Sequence, residues 1–289
     1  MPHVIAEEVF RKAQEGIRNR LFKDAKESDD LLRALGTKIA GEVPGCRTSF
    51  GPIKKMARAS KKVNSPKADG GYDGDWYELK DVARMTIIAP WHSEVATVGS
   101  KVEGACGLGK QMKLLKRKVV KEDEDDCGYS GLNYVIQMPN QRPVEIQVNV
   151  PELIYGKEGE DDAQNVLGFE LFNQLKCKFI IEGGHGHKLY EIYREAPSSR
   201  IGRAAAQVSI EYYGYLRRGF PNGLIVEQLR KDLRGVYSML PPPLRPRAYA
   251  FSGPPGASSG GSSGSPSGGP PPLRGRAYAF SGPSGGPSR

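Results

Sequence analysis

Apolar residues recur at helical spacing from the start of the chain. In "VIAEEVFRKAQEGIRNRLFKDA" (4–25), Val4, Ile5, Val9, Ala13, Ile17, Leu21 and Phe22 form one stripe, which predicts an amphipathic helix. "SDDLLRALGTKIAGEV" (28–43) predicts a second helix, with Ser28 as its cap. "PIKKMARASKKV" (52–63) reads as a short basic helix with Pro52 early in it. Pro, Gly and Asp make "NSPKADGGYDGDW" (64–76) a loop.

The period then shortens to two. "VARMTIIAP" (82–90), "LKRKVV" (115–120), "LNYVIQM" (132–138) and "PVEIQVNV" (143–150) predict strands. In the first, Val82, Arg84 and Thr86 share one face, and Ala83, Met85 and Ile87 the other. The last two form a hairpin with one apolar and one polar face. Glu145, Gln147 and Asn149 alternate with Val144, Ile146 and Val148. A mid-strand Glu runs against strand propensity, which suits a face turned to a cleft; a solvated face is the alternative. Helical patterns return at 92–105, 161–175, 187–196, 203–218 and 223–240. A mixed sheet with helices packed on it and wrapped around it gives an α+β or α/β domain.

Composition divides the chain. Hydrophobic content is 38%, and the shortfall from an ordinary domain is concentrated after residue 240, where Pro, Gly, Ser, Arg and Ala dominate. "PPPLRPRAYAFSGPPG" (241–256) returns as "PPPLRGRAYAFSGPSG" (270–285), so a disordered tail with a two-copy repeat is expected over 241–289. A solvated tail, weak RNA contact and a short partner-binding motif are its alternative uses. The tail holds five of the nine net positive charges, leaving +4 for residues 1–239. That excess suits a phosphate-rich ligand or RNA and identifies neither. Cys46, Cys106, Cys127 and Cys177 match no zinc spacing and read as free thiols. No signal peptide or transmembrane run is visible, so a cytoplasmic protein without membrane contact is expected, with delivery to another cell left open.

Three features can carry chemistry. Lys54, Arg58 and Lys62 sit at i, i+4 and i+8, a cationic helix face that a polyphosphate would neutralise; a solvated face is the alternative. Asp81 directly precedes a strand, where a carboxylate can hold Mg²⁺ or simply make a turn. Tyr129 in "GYSGLN" lies just upstream of the hairpin that carries Glu145 and Gln147.

The order "PIKKMARASKK", "DVARMTII", "GYSGLNYVIQM", "VEIQVNVPELIYGKE" resembles the synthetase domain of the RelA/SpoT family of alarmone synthetases, closest to its divergent, stand-alone, toxin-like members. "HKLYEIYRE" (187–195) is similar to a helix that follows in such members. The resemblance covers roughly residues 45–195 and implies a mixed, roughly five-stranded sheet of nucleotidyltransferase type. It divides the chain into an N-terminal helical segment (1–44), a synthetase core (45–198), C-terminal helices (199–240) and the tail (241–289).

The activity implied is pyrophosphoryl transfer from ATP to the 3′-hydroxyl of a purine nucleotide, GTP/GDP or ATP/ADP. A tRNA 3′ end as acceptor, and a catalytically silent nucleotide- or RNA-binding module, are the alternatives. Lys54, Arg58, Lys62 and Arg84 would bind ATP, and Asp81 and Glu145 would hold Mg²⁺. Glu145, Asp81 and Gln147 would be catalytic, while Tyr129 and Asn133 would bind the acceptor. The resemblance also implies a homo-oligomer and, for a toxin, a neutralising antitoxin. Family members usually have Gly-Tyr-Arg-Ser-Leu-His where this chain has Gly128-Tyr129-Ser130-Gly131-Leu132-Asn133, so acceptor identity stays open. Lys113, Lys116, Arg117 and Lys118 on the preceding strand are available to compensate.

Overall fold

A computed structural model describes residues 2–66, 71–107, 109–220 and 222–241, with the side chains of 2–7 left out. The expectations for the repeat tail lie outside the described residues. One helix, α1 (Pro2–Glu42), stands where two were expected. No Gly or Pro lies between Phe22 and Ser28 to stop it. Ser28 does not cap a new helix. Its hydroxyl donates to the Asp24 carbonyl four residues back at 3.1 Å, and it lies 3.3 Å from Asn140 Oδ1.

The strands are β1 (Arg47–Phe50), β2 (Arg84–Ile88), β3 (Lys113–Val120), β4 (Gly131–Gln137) and β5 (Pro143–Asn149). They form a five-stranded mixed sheet in the order β1-β2-β5-β4-β3, in which only β2 and β5 run parallel. β1 was not anticipated, because "RTSF" is too short and too polar to show a period.

The alternation along β4 and β5 survives in burial. Leu132, Tyr134, Ile136, Val144, Ile146 and Val148 are buried, while Asn133, Val135, Glu145 and Gln147 are half-buried. The apolar face is covered by the second half of α1, through Leu32, Leu35 and Ile39, and by α3 (Val95–Gly104), through Val98 and Val102. This burial drives the packing and leaves the opposite, polar face of the strands unfilled by apolar groups.

The basic helix is shorter than expected. α2 spans Met56–Asn64, and Pro52–Lys55 lie ahead of it outside any helix. The Lys54 amide donates to the Val82 carbonyl at 2.9 Å, so this stretch pairs with the approach to β2 instead of coiling. Lys54, Arg58 and Lys62 therefore do not share one helix face. Ala59 and Val63 of α2 join Leu21, Ala25, Trp76, Leu79 and Val82 in a second, smaller core.

After β5 come α4 (Pro151–Lys157), α5 (Glu160–Leu167), α6 (Phe169–Phe179), α7 (His185–Glu195), α8 (Arg200–Arg218) and α9 (Gly223–Ser238). The single helix expected over 161–175 breaks at Gly168, whose φ of 79° no helix accommodates. Residues from α1, the sheet and the C-terminal helices all belong to the larger core.

Candidate active site

Asp81 sits where the two cores meet, just ahead of β2. The Lys54 segment reaches it through the backbone pairing with Val82, and α2 brings Lys62 by packing Ala59 and Val63 inward. Lys54 and Lys62 both donate to Asp81 Oδ2, Lys62 at 3.0 Å. The other oxygen, Oδ1, is buried with no hydrogen-bond partner. Burial opposes the Asp81 charge, but the hydrogen bond from Lys54 and the charge of Lys62 outweigh it and hold the carboxyl below its ordinary range. Burial lowers the Lys54 ammonium, with Lys62 and Arg84 adding repulsion against the pull of Asp81. For Lys62 burial also opposes the charge, yet Asp81 leaves its pKa raised. Lys62 lies 5.3 Å from the centroid of the Tyr72 ring. Arg58 is exposed on α2, one turn before Lys62, and the Asp81 ion pairs are made by Lys54 and Lys62.

Strand register extends the site across the polar face. Arg84 pairs with Glu145 and Thr86 with Gln147 between β2 and β5; Val135 and Asn133 of β4 oppose the same two residues from the other side. Beyond them β3 sets Lys116 opposite Val135 and Lys118 opposite Asn133. Side chains of paired positions share a face. Arg84, Glu145, Gln147, Asn133, Lys116 and Lys118 therefore belong to one surface. Arg117 belongs to the other face, where it pairs with Glu103 at 2.8 Å. Of the β3 cations suggested by sequence, Arg117 is thus turned away.

Within that surface, Gln147 Nε2 donates to Glu145 Oε1 at 2.5 Å. Lys157, at the end of α4, donates to Gln147 Oε1 at 3.1 Å and pairs with Glu158 at 3.0 Å. Burial pulls the Lys157 ammonium down, but Tyr129, Glu158 and Glu145 outweigh it and leave it above its ordinary value.

Tyr129 closes the far end. Its hydroxyl accepts from Asn149 Nδ2 at 2.6 Å, and its ring meets Tyr213 edge-on at 5.5 Å. Asn149 also donates to the Ser130 carbonyl at 2.8 Å, which pins the loop. Arg217 of α8 donates to the Gly128 carbonyl and, at 3.2 Å, to Ser130 Oγ, while pairing with Glu122 at 2.7 Å.

The structure thus gathers Lys54, Lys62 and Asp81 at one end, Arg84, Glu145, Gln147 and Asn133 along the face, and Tyr129 at the other end. Arg58 lies one turn before Lys62 on α2 and is exposed. Sequence reading missed Lys157, Asn149, Tyr213 and Arg217 as neighbours of these groups. Lys157 had one signal, its place in "PELIYGKE" directly after the Glu-Ile-Gln strand.

The donor set bears on metal binding. Among the described residues no group of three or more His, Cys, Asp or Glu is placed to hold an ion. Asp81 nevertheless offers a buried, unpartnered oxygen, and Glu145 supplies a second carboxylate. Carboxylate oxygens of this kind, with ligand phosphates completing the shell, are the donor chemistry Mg²⁺ takes, since it rarely has an all-protein cage.

No protein-family model matches the chain. A curated relative, the (p)ppApp synthetase toxin Tas1 of Pseudomonas aeruginosa (strain UCBPP-PA14), is 37% identical over 197 residues, 68% of this chain. The chain spans 40% of that relative's length. The crystal structure of the complex between the type VI effector Tas1 and its immunity protein superposes with a TM-score of 0.60 at 34% identity. That match covers 69% of this chain and 96% of the solved one. No helix among the described residues is long and apolar enough to cross a membrane.

Proposed function

The chain belongs to the RelA/SpoT family of alarmone synthetases as a divergent member, and we propose that it is an ATP-dependent pyrophosphokinase. It transfers the β,γ-diphosphate of ATP to the 3′-hydroxyl of a purine nucleotide. The acceptor oxygen bonds to the β-phosphorus, the bridge between the α- and β-phosphates breaks, and AMP leaves. The observation that carries this reading is the order of groups on one polar face. Phosphate-neutralising cations lie beside Asp81, a Glu145–Gln147 pair lies in the middle, and a tyrosine held by Asn149 lies beyond.

Each residue then has a task. Lys54, Lys62 and Arg84 neutralise the ATP phosphates, because transfer of this kind depends on positioning and charge compensation. Asp81 and Glu145 hold Mg²⁺, which when bound shields the phosphate charge. Glu145 takes the proton of the acceptor hydroxyl, and Gln147 orients that hydroxyl. Tyr129 stacks on the acceptor base, Asn133 contacts the acceptor, and Lys116 and Lys118 meet its phosphates. The protein acts as a growth-inhibiting toxin, in keeping with its likeness to the (p)ppApp synthetase toxin Tas1. A neutralising protein is its partner, in keeping with the immunity protein in the Tas1 complex.

The test is to incubate the protein with γ-labelled ATP, Mg²⁺ and, separately, GTP, GDP, ATP, ADP or deacylated tRNA. AMP release with label on a nucleotide supports the reading and names the acceptor. Label on tRNA alone replaces the acceptor, and no AMP with any of them overturns the activity.

A further inference from the structure

Lys157 ends the short helix that follows β5, and its ammonium is the group through which the two halves of the polar face meet. It donates to Gln147 Oε1 at 3.1 Å, pairs with Glu158 at 3.0 Å, and lies 5.6 Å from the centroid of the Tyr129 ring. An ammonium can only donate, so the end of the Gln147 amide that faces it must be the carbonyl oxygen. The NH₂ end is then left for Glu145, which accepts it at 2.5 Å. Rotating the amide by half a turn would set NH₂ against NH₃⁺ and carbonyl against carboxylate. Lys157 and Glu145 therefore hold the Gln147 amide in one orientation from its two ends, and Lys157 fixes the oxygen end. The same charge lies against the face of the Tyr129 ring, where the ring quadrupole attracts it.

We propose that Lys157 is a positioning residue of the acceptor half of the site, locking Gln147 toward Glu145 and holding that pair in register with Tyr129. This rests on the pyrophosphokinase reading for its kinetic consequences only. The lock on the Gln147 amide is a property of the free protein. Neither contact involves the Asp81, Lys54 and Lys62 cluster, so the effect belongs to the acceptor and not to ATP.

Kinetics of Lys157→Met and Lys157→Arg with ATP and the acceptor varied in turn test it. Misplacing a reacting group by about 1 Å costs on the order of 10²-fold, so kcat/KM for the acceptor falls by about that factor in Lys157→Met. The KM for ATP stays within about twofold, and Lys157→Arg, which keeps charge and donors, recovers roughly tenfold. An unchanged acceptor kcat/KM, or an equal rise in the KM for ATP, overturns the proposal. Exchange of the Gln147 side-chain amide protons with water, followed by NMR in wild type, Lys157→Met and Lys157→Arg, adds a readout that needs no activity. Slow exchange in wild type and Lys157→Arg that becomes faster in Lys157→Met supports the lock, and equal exchange in all three overturns it. If the wild type transfers to no acceptor, the functional reading fails while the amide measurement still decides the role of Lys157.

Discussion

Lys62 reaches Asp81 Oδ2 at 3.0 Å from a helix nineteen residues upstream, sharing that oxygen with Lys54. With side-chain exposures of 12% for Lys54 and 14% for Asp81, the carboxylate neutralises a largely buried cation. Asp81→Asn leaves both lysines without their counter-charge. Breaking a buried pair from one side costs about 3 kcal/mol, so the melting temperature drops clearly without ligand. ATP restores part of it, since its phosphates replace the missing charge. Thermal melts with and without ATP check this, and an equal loss in both conditions would show that the lysines do not meet phosphate.

Glu145→Gln keeps an oxygen for Gln147 to donate to and keeps the strand register with Arg84 and Val135. The fold stays intact while transfer falls by at least about 10²-fold, the range lost with a general base. Circular dichroism and AMP production measure the two effects, and an active variant would refute the role given to Glu145.

Gly128 has a φ of 70°, and a Cβ there would stand 2.8 Å from the Cα of Ile210 on α8. Gly128→Ala costs about 1–2 kcal/mol in backbone strain and pushes the Tyr129 loop off α8. The KM for the acceptor rises while the KM for ATP holds. Steady-state kinetics with each substrate varied in turn separate the two.

His185 is buried beside Tyr212 and Tyr237, with Nδ1 2.8 Å from the Tyr237 hydroxyl. Burial pushes its pKa down from 6.5 to about 3, helped by the charge of Lys188. The unfolded chain binds a proton near pH 6.5 that the folded chain refuses, so stability is present in full above that pH and falls as pH drops toward 3. Between pH 7 and 5 this amounts to about 2 kcal/mol. Urea midpoints at both pH values should show the loss in wild type and a smaller one in His185→Asn. An identical pH dependence would place the effect elsewhere.

All the candidate site residues lie before residue 219, and the described core ends with α9. Removing residues 242–289 therefore leaves pyrophosphoryl transfer measurable. Complete loss of activity in the truncated chain would assign the tail a part in the reaction.

Periodicity carried the sheet well. β2, β4 and β5 start and end within about two residues of their expected bounds, because alternation with one buried face admits only one register. It failed where local signals were weak or overruled. "RTSF" has no period, Pro52–Lys55 gave up helix for a bond to Val82, and Gly168 cut a stripe that otherwise looked continuous. The residues proposed for the site were visible as chemistry, yet the assumed reason for grouping the cations was mistaken. Lys54 and Lys62 do not share a helix face; they meet at Asp81 because two separate segments converge there.

Residue types, their order along the chain and the polar face of a hairpin could be read without coordinates, because each depends on near neighbours. Which cations meet which carboxylate depends on packing between segments far apart in sequence. Burial of Ala59 and Val63 delivers Lys62 to Asp81, and α8 delivers Tyr213 to Tyr129 and Arg217 to its loop. Lys157 is the sharpest case. A lysine in "YGKEG" has only its place after the Glu-Ile-Gln strand to mark it, and its contact with Gln147 appears only when the end of α4 brings its ammonium to that side chain.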